Sequence, residues 1–241
     1  MTFQKSKELK LEDCLRHGLA SGAELFVVEG DSASIAVKVR RDPTFQAVLP
    51  MQGKPLNAVR AAGSKVGSNR QYRALIDTLG AGWGASFDLG KLRYDRVLLL
   101  MDPDADGIHC GALMLMFFYR WMRPMLDSGR IETVHAPMGE ISHPGGAGRR
   151  FAYTEAQYRG LPDRPGGPDS PPVSKVRFRG LGGMEQRVLA ETCLVPATRL
   201  ASVMTAADAE KAIELFCMTA ERLDWTQSRR GELKQGEFEF L

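Results

Sequence analysis

Three aspartates, Asp102, Asp104 and Asp106, alternate along the chain and are followed at once by Gly107. Carboxylates this close repel one another: a pair ~4 Å apart costs about 1 kcal/mol in water and several times that in a lower effective dielectric. Such a cluster needs a cation, or must keep protons to unusually high pH. Oxygen-only donors suit Mg²⁺ or Ca²⁺ better than zinc. The pattern D-x-D-x-D-G also opens an EF-hand loop, but that loop requires Glu at its twelfth position, where this chain has Leu113. The segment before it, Val97 to Met101, reads as a strand, whereas an EF-hand needs a helix. A solvated acidic turn without a ligand is the remaining alternative. Glu29 is a distant further carboxylate. If its strand neighbours that of the aspartates, all converge, and the set has the composition of a Mg²⁺ site for phosphoryl transfer. Taken alone, Glu29 is better explained as a negative charge at a helix N-terminus.

These residues need elements to place them. Leu25-Phe26-Val27-Val28 is an apolar run ending at Glu29-Gly30-Asp31-Ser32, which predicts a buried strand and a turn. Ala33 to Arg40 follows as a helix with Ser32 as N-cap. Phe45 to Leu49 reads as a second strand closed by Pro50, and Arg70 to Leu79 as a helix stopped by Gly80. Arg96 to Met101 is the most apolar strand, Asp102 to Gly107 an acidic turn, and Gly111 to Arg123 a helix that Pro124 should end or kink. Ile131 to His135 is a fourth strand. Strands separated by helices predict a parallel α/β sheet, and apolar runs without alternation fit strands buried on both faces. Sites in such sheets form beyond the carboxyl ends of strands, where both acidic motifs fall. Between about Ser142 and Ser174, Gly145-Gly146, Pro165-Gly166-Gly167-Pro168 and Pro171-Pro172 predict a loop or linker with a short structured piece around Phe151 to Tyr158. Glu185 to Thr192 and Ala206 to Leu223 then read as helical, and Arg229-Arg230 leads into an acidic, aromatic tail.

The bulk properties set limits. The 241 residues, 44% of them hydrophobic, suffice for one large domain, or one with a small appendage. A formal charge of +3 permits nucleic-acid contact without arguing for it. Lys38, Arg40, Arg41, Arg60, Lys65, Arg70 and Arg73 lie between the acidic motifs, and Lys175, Arg177 and Arg179 form another basic group; solvated faces are the usual fate of such charges. Cys14, Cys110, Cys193 and Cys217 are far apart and lack a CxxC pair, so the expectation is reduced thiols, with no zinc site and no disulfide framework. The polar N-terminus is no signal peptide, and the longest apolar stretch, Ala112 to Tyr119, is far too short for a bilayer. The expectation is a cytoplasmic protein with no membrane partner.

Glu29-Gly30-Asp31-Ser32-Ala33, then Lys54 and Asn57 within Pro50 to Asn57, then Asp102-x-Asp104-x-Asp106-Gly107-x-His109 resemble, in order, the Toprim motifs of gyrase B and related type IIA topoisomerase B subunits, including topoisomerase IV. Lys10 to Cys14 resembles the family's lead-in, Lys91 to Tyr94 its approach to the acidic strand, and Phe117 to Arg120 its helix. Arg177 to Gly182, Glu191-Thr192, Pro196 and Thr198-Arg199 resemble its closing segment. The resemblance implies a Toprim, Rossmann-like parallel sheet flanked by helices over 1–140, the Pro/Gly-rich loop or linker over 141–175, and a smaller helical appendage over 176–241 that completes the B-type region. It implies that Glu29 and Asp102 hold a catalytic Mg²⁺, Asp102 and Asp104 a second, and that Asp106 supports them. Mn²⁺ or Ca²⁺ would substitute. Lys54 and Asn57 would contact DNA near the scissile phosphate. His109 would lie beside the metal turn, where it could equally be a structural hydrogen-bond donor.

The implied function is the Mg²⁺-dependent DNA-binding and cleavage part of a topoisomerase. Its partners would be double-stranded DNA on the nucleoid, an A-type subunit carrying the catalytic tyrosine, and a separate ATPase chain. No phosphate-cradling loop is present, since Gly53-Lys54 is followed by Pro55, and Gly80-x-Gly82-x-Gly84 is no dinucleotide fingerprint. The expectation is therefore that this polypeptide binds no ATP and is inactive alone. There are three departures from the family pattern: Ser34-Ile35 replaces Gly-Gly, Gln52 replaces a basic residue, and Gly183 replaces Glu. The missing ATPase region and the neutral Gln52 motivate one alternative, a non-catalytic DNA-binding or regulatory Toprim protein; a stand-alone Toprim nuclease is the other.

Overall fold

The computed structural model describes residues 10–142, 148–164 and 173–217. In chain order its elements are β1 (Glu24–Glu29), α1 (Gly30–Arg40), β2 (Gln46–Met51), α2 (Gly63–Ser68), α3 (Arg70–Leu79), β3 (Arg96–Leu100), α4 (Ala105–Trp121), α5 (Arg123–Asp127), β4 (Ile131–Val134), β5 (Gly139–Ser142), β6 (Arg150–Ala152), α6 (Glu155–Gly160), β7 (Ser174–Arg177), α7 (Gln186–Leu189), β8 (Ala201–Val203) and α8 (Ala206–Cys217). The main sheet runs β2-β1-β3-β4-β8. β1 pairs in parallel with both β2 and β3, β3 pairs in parallel with β4, and β8 adds an antiparallel edge. This is the helix-flanked parallel sheet that the alternation of apolar runs and helical segments predicts.

The runs lack period-two alternation because both faces of the sheet are covered. Leu25, Val27, Leu49, Val97 and Leu99 face a core closed by Tyr72, Leu75 and Leu79 of α3 and by Met114, Phe117 and Phe118 of α4. Phe26, Val28, Val48, Leu98 and Leu100 face a second core, closed by Ala33, Ala36 and Val37 of α1 together with Leu181, Met184, Val188, Leu189, Cys193 and Leu194. The C-terminal segment thus helps to bury one whole face of the sheet.

Several local expectations shift. Helix α1 begins at Gly30 with Glu29 in the N-cap position and no side-chain cap, so Ser32 is not its cap. Strand β2 continues through Pro50, which pairs with Val28; proline is tolerated there because β2 is an edge strand. Helix α4 starts at Ala105 rather than Gly111, because Asp104 caps it and absorbs the second half of the acidic turn. Pro124 does break the helix, sitting in the first turn of α5. The segment after Glu185 is α-helical only over Gln186–Leu189 and then widens into a π-type turn, Ala190–Leu194.

The stretch read as a loop or linker carries more order than its composition suggests. Strands β6, β5 and β7 form a separate antiparallel sheet, and α6 follows β6, capped by Thr154. Gly145-Gly146, the two Pro-rich clusters, residues 218–223 of the last predicted helix and the Arg229-Arg230 tail lie outside the described residues. Helix α8 packs against α4, with Tyr119 donating to Glu210 at 2.9 Å. Among the described residues no helix is long and apolar enough to cross a membrane.

The opposite, amino-terminal end of the sheet is tied by a buried ion network. Arg199 grips Glu24 through both guanidinium nitrogens, at 2.6 and 2.7 Å, and Gln46 donates to the same carboxylate at 2.9 Å. Arg96 holds Glu132 at 3.0 Å, and Arg199 lies 3.9 Å from Glu132. The Arg199 and Glu24 side chains are only 4% and 2% exposed, so removing one leaves an uncompensated buried charge. Arg199→Ala is expected to lower unfolding free energy by about 3–5 kcal/mol in urea titration, with much less loss in the double variant Arg199→Met/Glu24→Leu.

Candidate metal and nucleic-acid site

The site begins with register. Val28 on β1 lies opposite Leu100 on β3, so Glu29 and, on the neighbouring strand, Met101-Asp102 leave the sheet side by side at its carboxyl end. The two acidic motifs, 73 residues apart by numbering from 29 to 102, are thereby neighbours. Asp102 is held from beyond the sheet: its Oδ1 accepts from the Leu181 backbone N–H at 2.8 Å. Gly180 permits that approach, since a Cβ there would lie 2.9 Å from Asp102 Oδ2 and its φ is +152°. Asp104 accepts from the Gly107 N–H at 2.8 Å as the cap of α4. Gly107 is required by packing, because a Cβ would meet the Asp102 carbonyl oxygen at 2.0 Å. Asp106, in the first turn of α4 and facing solvent, is paired with Lys54 at 2.8 Å.

The electrostatics are those of an acid-rich site short of positive charge. Burial pushes the Glu29 carboxyl above its usual range, and Asp102, Asp104 and Asp106 push it further, opposed by Lys54. Glu29 Oε2 is buried and has no hydrogen-bond partner among the described residues. Asp102 is also raised, first by burial and then by Asp104, against the lowering effect of the Leu181 N–H. The Lys54 hydrogen bond holds Asp106 below the ordinary value. The Cys110 sulfur lies 3.9 Å from Glu29 Oε1, and burial, with Glu29 adding, pushes its thiol up to about 11. Cys110 is therefore a neutral thiol beside the carboxylates, whose oxygens suit a hard cation.

The carboxylates are not clasped. Among the described residues, one group of three or more potential ligands has its donor atoms all within 4.8 Å of one another, and it is Asp13, Cys14 and His17. There the cation is already present: Arg93 binds Asp13 at 2.6 Å and contacts His17 at 3.0 Å. Glu29, Asp102 and Asp104 stand further apart, as expected for like charges whose aspartates are anchored separately by Leu181 and Gly107.

The other predicted residues divide. Lys54 reaches the acidic turn. Asn57 uses its Oδ1 to accept from the Val59 and Arg60 N–H groups, both at 3.1 Å, so its carbonyl shapes a turn. His109 stacks on Phe216 with ring centroids 4.9 Å apart, and burial keeps its pKa low, with Lys54 adding. Gln52, where a basic residue was expected, donates to Asp31 at 3.1 Å, and Lys10 bonds the same aspartate at 2.5 Å. Ser34 is buried while Ile35 is 64% exposed. The backbone of Gly180-Leu181 and the thiol of Cys110 were not anticipated as parts of the site. Only the family-like closing segment around Gly180 gave a signal, and it carried no role.

Comparison with known proteins identifies the class. Residues 24–135 match the family model for the Toprim domain, and this part of the chain is a Toprim domain. The chain is similar to the DNA gyrase B subunits of Archaeoglobus fulgidus and of Halalkalibacterium halodurans, each 38% identical over 207 residues, covering 86% of this chain and 32% of the relative. The corresponding protein of Thermotoga maritima is 38% identical over 209 residues, again covering 86% of this chain and 32% of its own. The chain thus spans about a third of the length of the curated relatives it matches.

The raised carboxyls have a thermodynamic consequence. A carboxyl whose folded pKa exceeds its unfolded one binds its proton more tightly when folded. Glu29 and Asp102 therefore cost stability as pH rises from about 4, the ordinary carboxylate value, through their folded values. Asp13 runs the other way: burial raises it, but hydrogen bonds from Tyr94, His17 and Arg93 outweigh that and hold it at about 2. Its contribution is lost only as pH falls from the ordinary range toward that value. In metal-free buffer Glu29→Gln is expected to raise Tm at pH 7 and leave it nearly unchanged at pH 4. A lower Tm at pH 7 in scanning calorimetry contradicts the charge assignment.

Proposed function

We propose that this chain is the Mg²⁺-dependent DNA-binding and cleavage module of a type IIA, gyrase B-like topoisomerase, acting on double-stranded DNA with an A-type subunit that carries the catalytic tyrosine. The observation that carries this reading is Glu29 Oε2, a buried carboxylate oxygen without a partner among the described residues, at the strand end beside Asp102. An ionised, unpartnered buried carboxylate is costly, and a divalent cation offsets that cost.

In this reading Glu29 and Asp102 hold one Mg²⁺, and Asp102 and Asp104 a second. Bound there, the metal stabilises charge on the attacking and leaving oxygens of phosphoryl transfer. The protein's part is positioning. Leu181 fixes the Asp102 carboxylate through its Oδ1, and the α4 cap orients Asp104. Asp106 keeps Lys54 beside the carboxylates, from where its ammonium can move to a DNA phosphate as a point charge. Asn57 holds the turn that follows Lys54, His109 supports the α4–α8 contact, and the attacking hydroxyl comes from the partner's tyrosine.

The test is reconstitution with a gyrase A-type partner. Mg²⁺-dependent DNA cleavage is expected from the mixture and not from this chain alone. Asp104→Ala should reduce it on the order of 100-fold or more, the scale of losing one preorganised electrostatic contact. Undiminished cleavage by that variant, or cleavage without divalent metal, discards the reading, and nicking by the isolated chain favours a stand-alone nuclease. Lys54→Ala should leave the fold intact and reduce the slope of log K against log salt for DNA binding by about 1, measured by fluorescence anisotropy.

A further inference from the structure

Beside Asp102, a cavity of about 440 Å³ opens between the carboxyl ends of β3 and β4, the first turns of α4, and the β6–α6 corner of the second sheet. That volume lies in the range of roughly 300–1,000 Å³ typical of small-molecule sites. Among the described residues its walls include Asp102, Gly111, His135, Tyr153, Gln157 and Ser202, with aliphatic side chains between them and no lysine or arginine. Tyr153 and His135 supply aromatic rings. The His135 Nε2 and Ser202 Oγ lie 2.9 Å apart, and burial lowers the His135 pKa, favouring the neutral ring. Gln157 Oε1 accepts from the Tyr153 N–H, which leaves its amide NH₂ as a donor. Apart from Asp102, this lining is uncharged and hydrogen-bonding, which suits a neutral heterocycle. It lacks the cations that a free anion would need.

We infer that this cavity takes the base of a nucleoside phosphate, with the phosphate directed to the Asp102 end. The inference rests on the proposed metal site, because a phosphate beside Asp102 is repelled unless a divalent cation lies between them. The nucleoside phosphate is either a free nucleotide or one unit of a DNA strand, and both present the same base-and-phosphate chemistry. Position favours a ligand too: the cavity lies outside the strand carboxyl ends, where open α/β sheets bind ligands.

The experiment follows the methyl resonances of Met101 and Met138, both in the cavity wall, during titration with adenosine 5′-monophosphate, adenosine and a short single-stranded oligonucleotide. Each is run with and without Mg²⁺, and Mn²⁺ affinity is measured in parallel by electron paramagnetic resonance. The monophosphate or the oligonucleotide should shift both methyls and bind about tenfold or more tightly with Mg²⁺, and whichever does so identifies the source. Gly111→Leu adds a side chain in the wall, where only Met101 Cγ comes within 4 Å of a new Cβ. It should weaken that binding about tenfold without changing Mn²⁺ affinity. Intact Mn²⁺ binding with no methyl shift from any probe overturns the cavity assignment. Absent Mn²⁺ binding with adenosine still shifting the methyls instead removes the metal reading and keeps the base site.

Discussion

Repulsion among four carboxylates, gathered at one end of a parallel sheet, is the constraint on which this structure turns. The gathering is a consequence of one pairing, β1 against β3, whose register brings Glu29 out beside Asp102. A one-residue slip would send the side chains of β1 to the opposite faces, exchanging the residues of its two cores and moving Glu29 away. The cores therefore fix the register, and the register imposes the charge problem. The fold tolerates it because the aspartates are anchored by backbone N–H groups and Lys54 lies across the outermost one.

The same logic explains why the C-terminal segment cannot be treated as an independent appendage to the site. Leu181 contributes to the second core and, through its N–H, the hydrogen bond that holds Asp102. Gly182 lies so close to α1 that a Cβ there would come 2.9 Å from the Ser32 side chain. One short glycine-rich turn thus touches the elements of both acidic motifs, joining burial of the sheet to placement of its chemistry. At the sheet's other end Arg199 binds the first residue of β1. The closing segment therefore pins β1 near both ends, which couples the stability of the domain to the geometry of the carboxylates.

The second sheet has a different role. It pairs with none of the central strands, but Phe151 of β6 packs against their second core and its β6–α6 corner walls the cavity beside Asp102. Its outer strand β7 is mostly exposed, held by main-chain pairing to β5 and by contacts such as Arg177 with Glu155 at 2.7 Å. An exposed outer strand next to a well-buried sheet is a place for a surface to adapt to ligands.

The parallel sheet, the two acidic strand ends and the oxygen-rich character of the site were all legible in the linear chain. Long apolar runs, strand-ending glycines and clustered aspartates are local signals, each readable from its neighbours. Features carried by distant pairing or by main-chain groups had to wait for the folded arrangement. That Glu29 lies beside Asp102 depends on which strands neighbour each other, and no local pattern encodes that. The Leu181 N–H is a backbone donor that nearly any residue type would supply, so its role was invisible in the side chains. Asp104 reads as a free carboxylate until the helix is seen to begin one residue later, with Asp104 as its cap. The strands β5 and β7 were hidden for a related reason. Four-residue segments such as Gly139–Ser142, close to stretches rich in glycine and proline, become strands only when partners distant in sequence supply their hydrogen bonds.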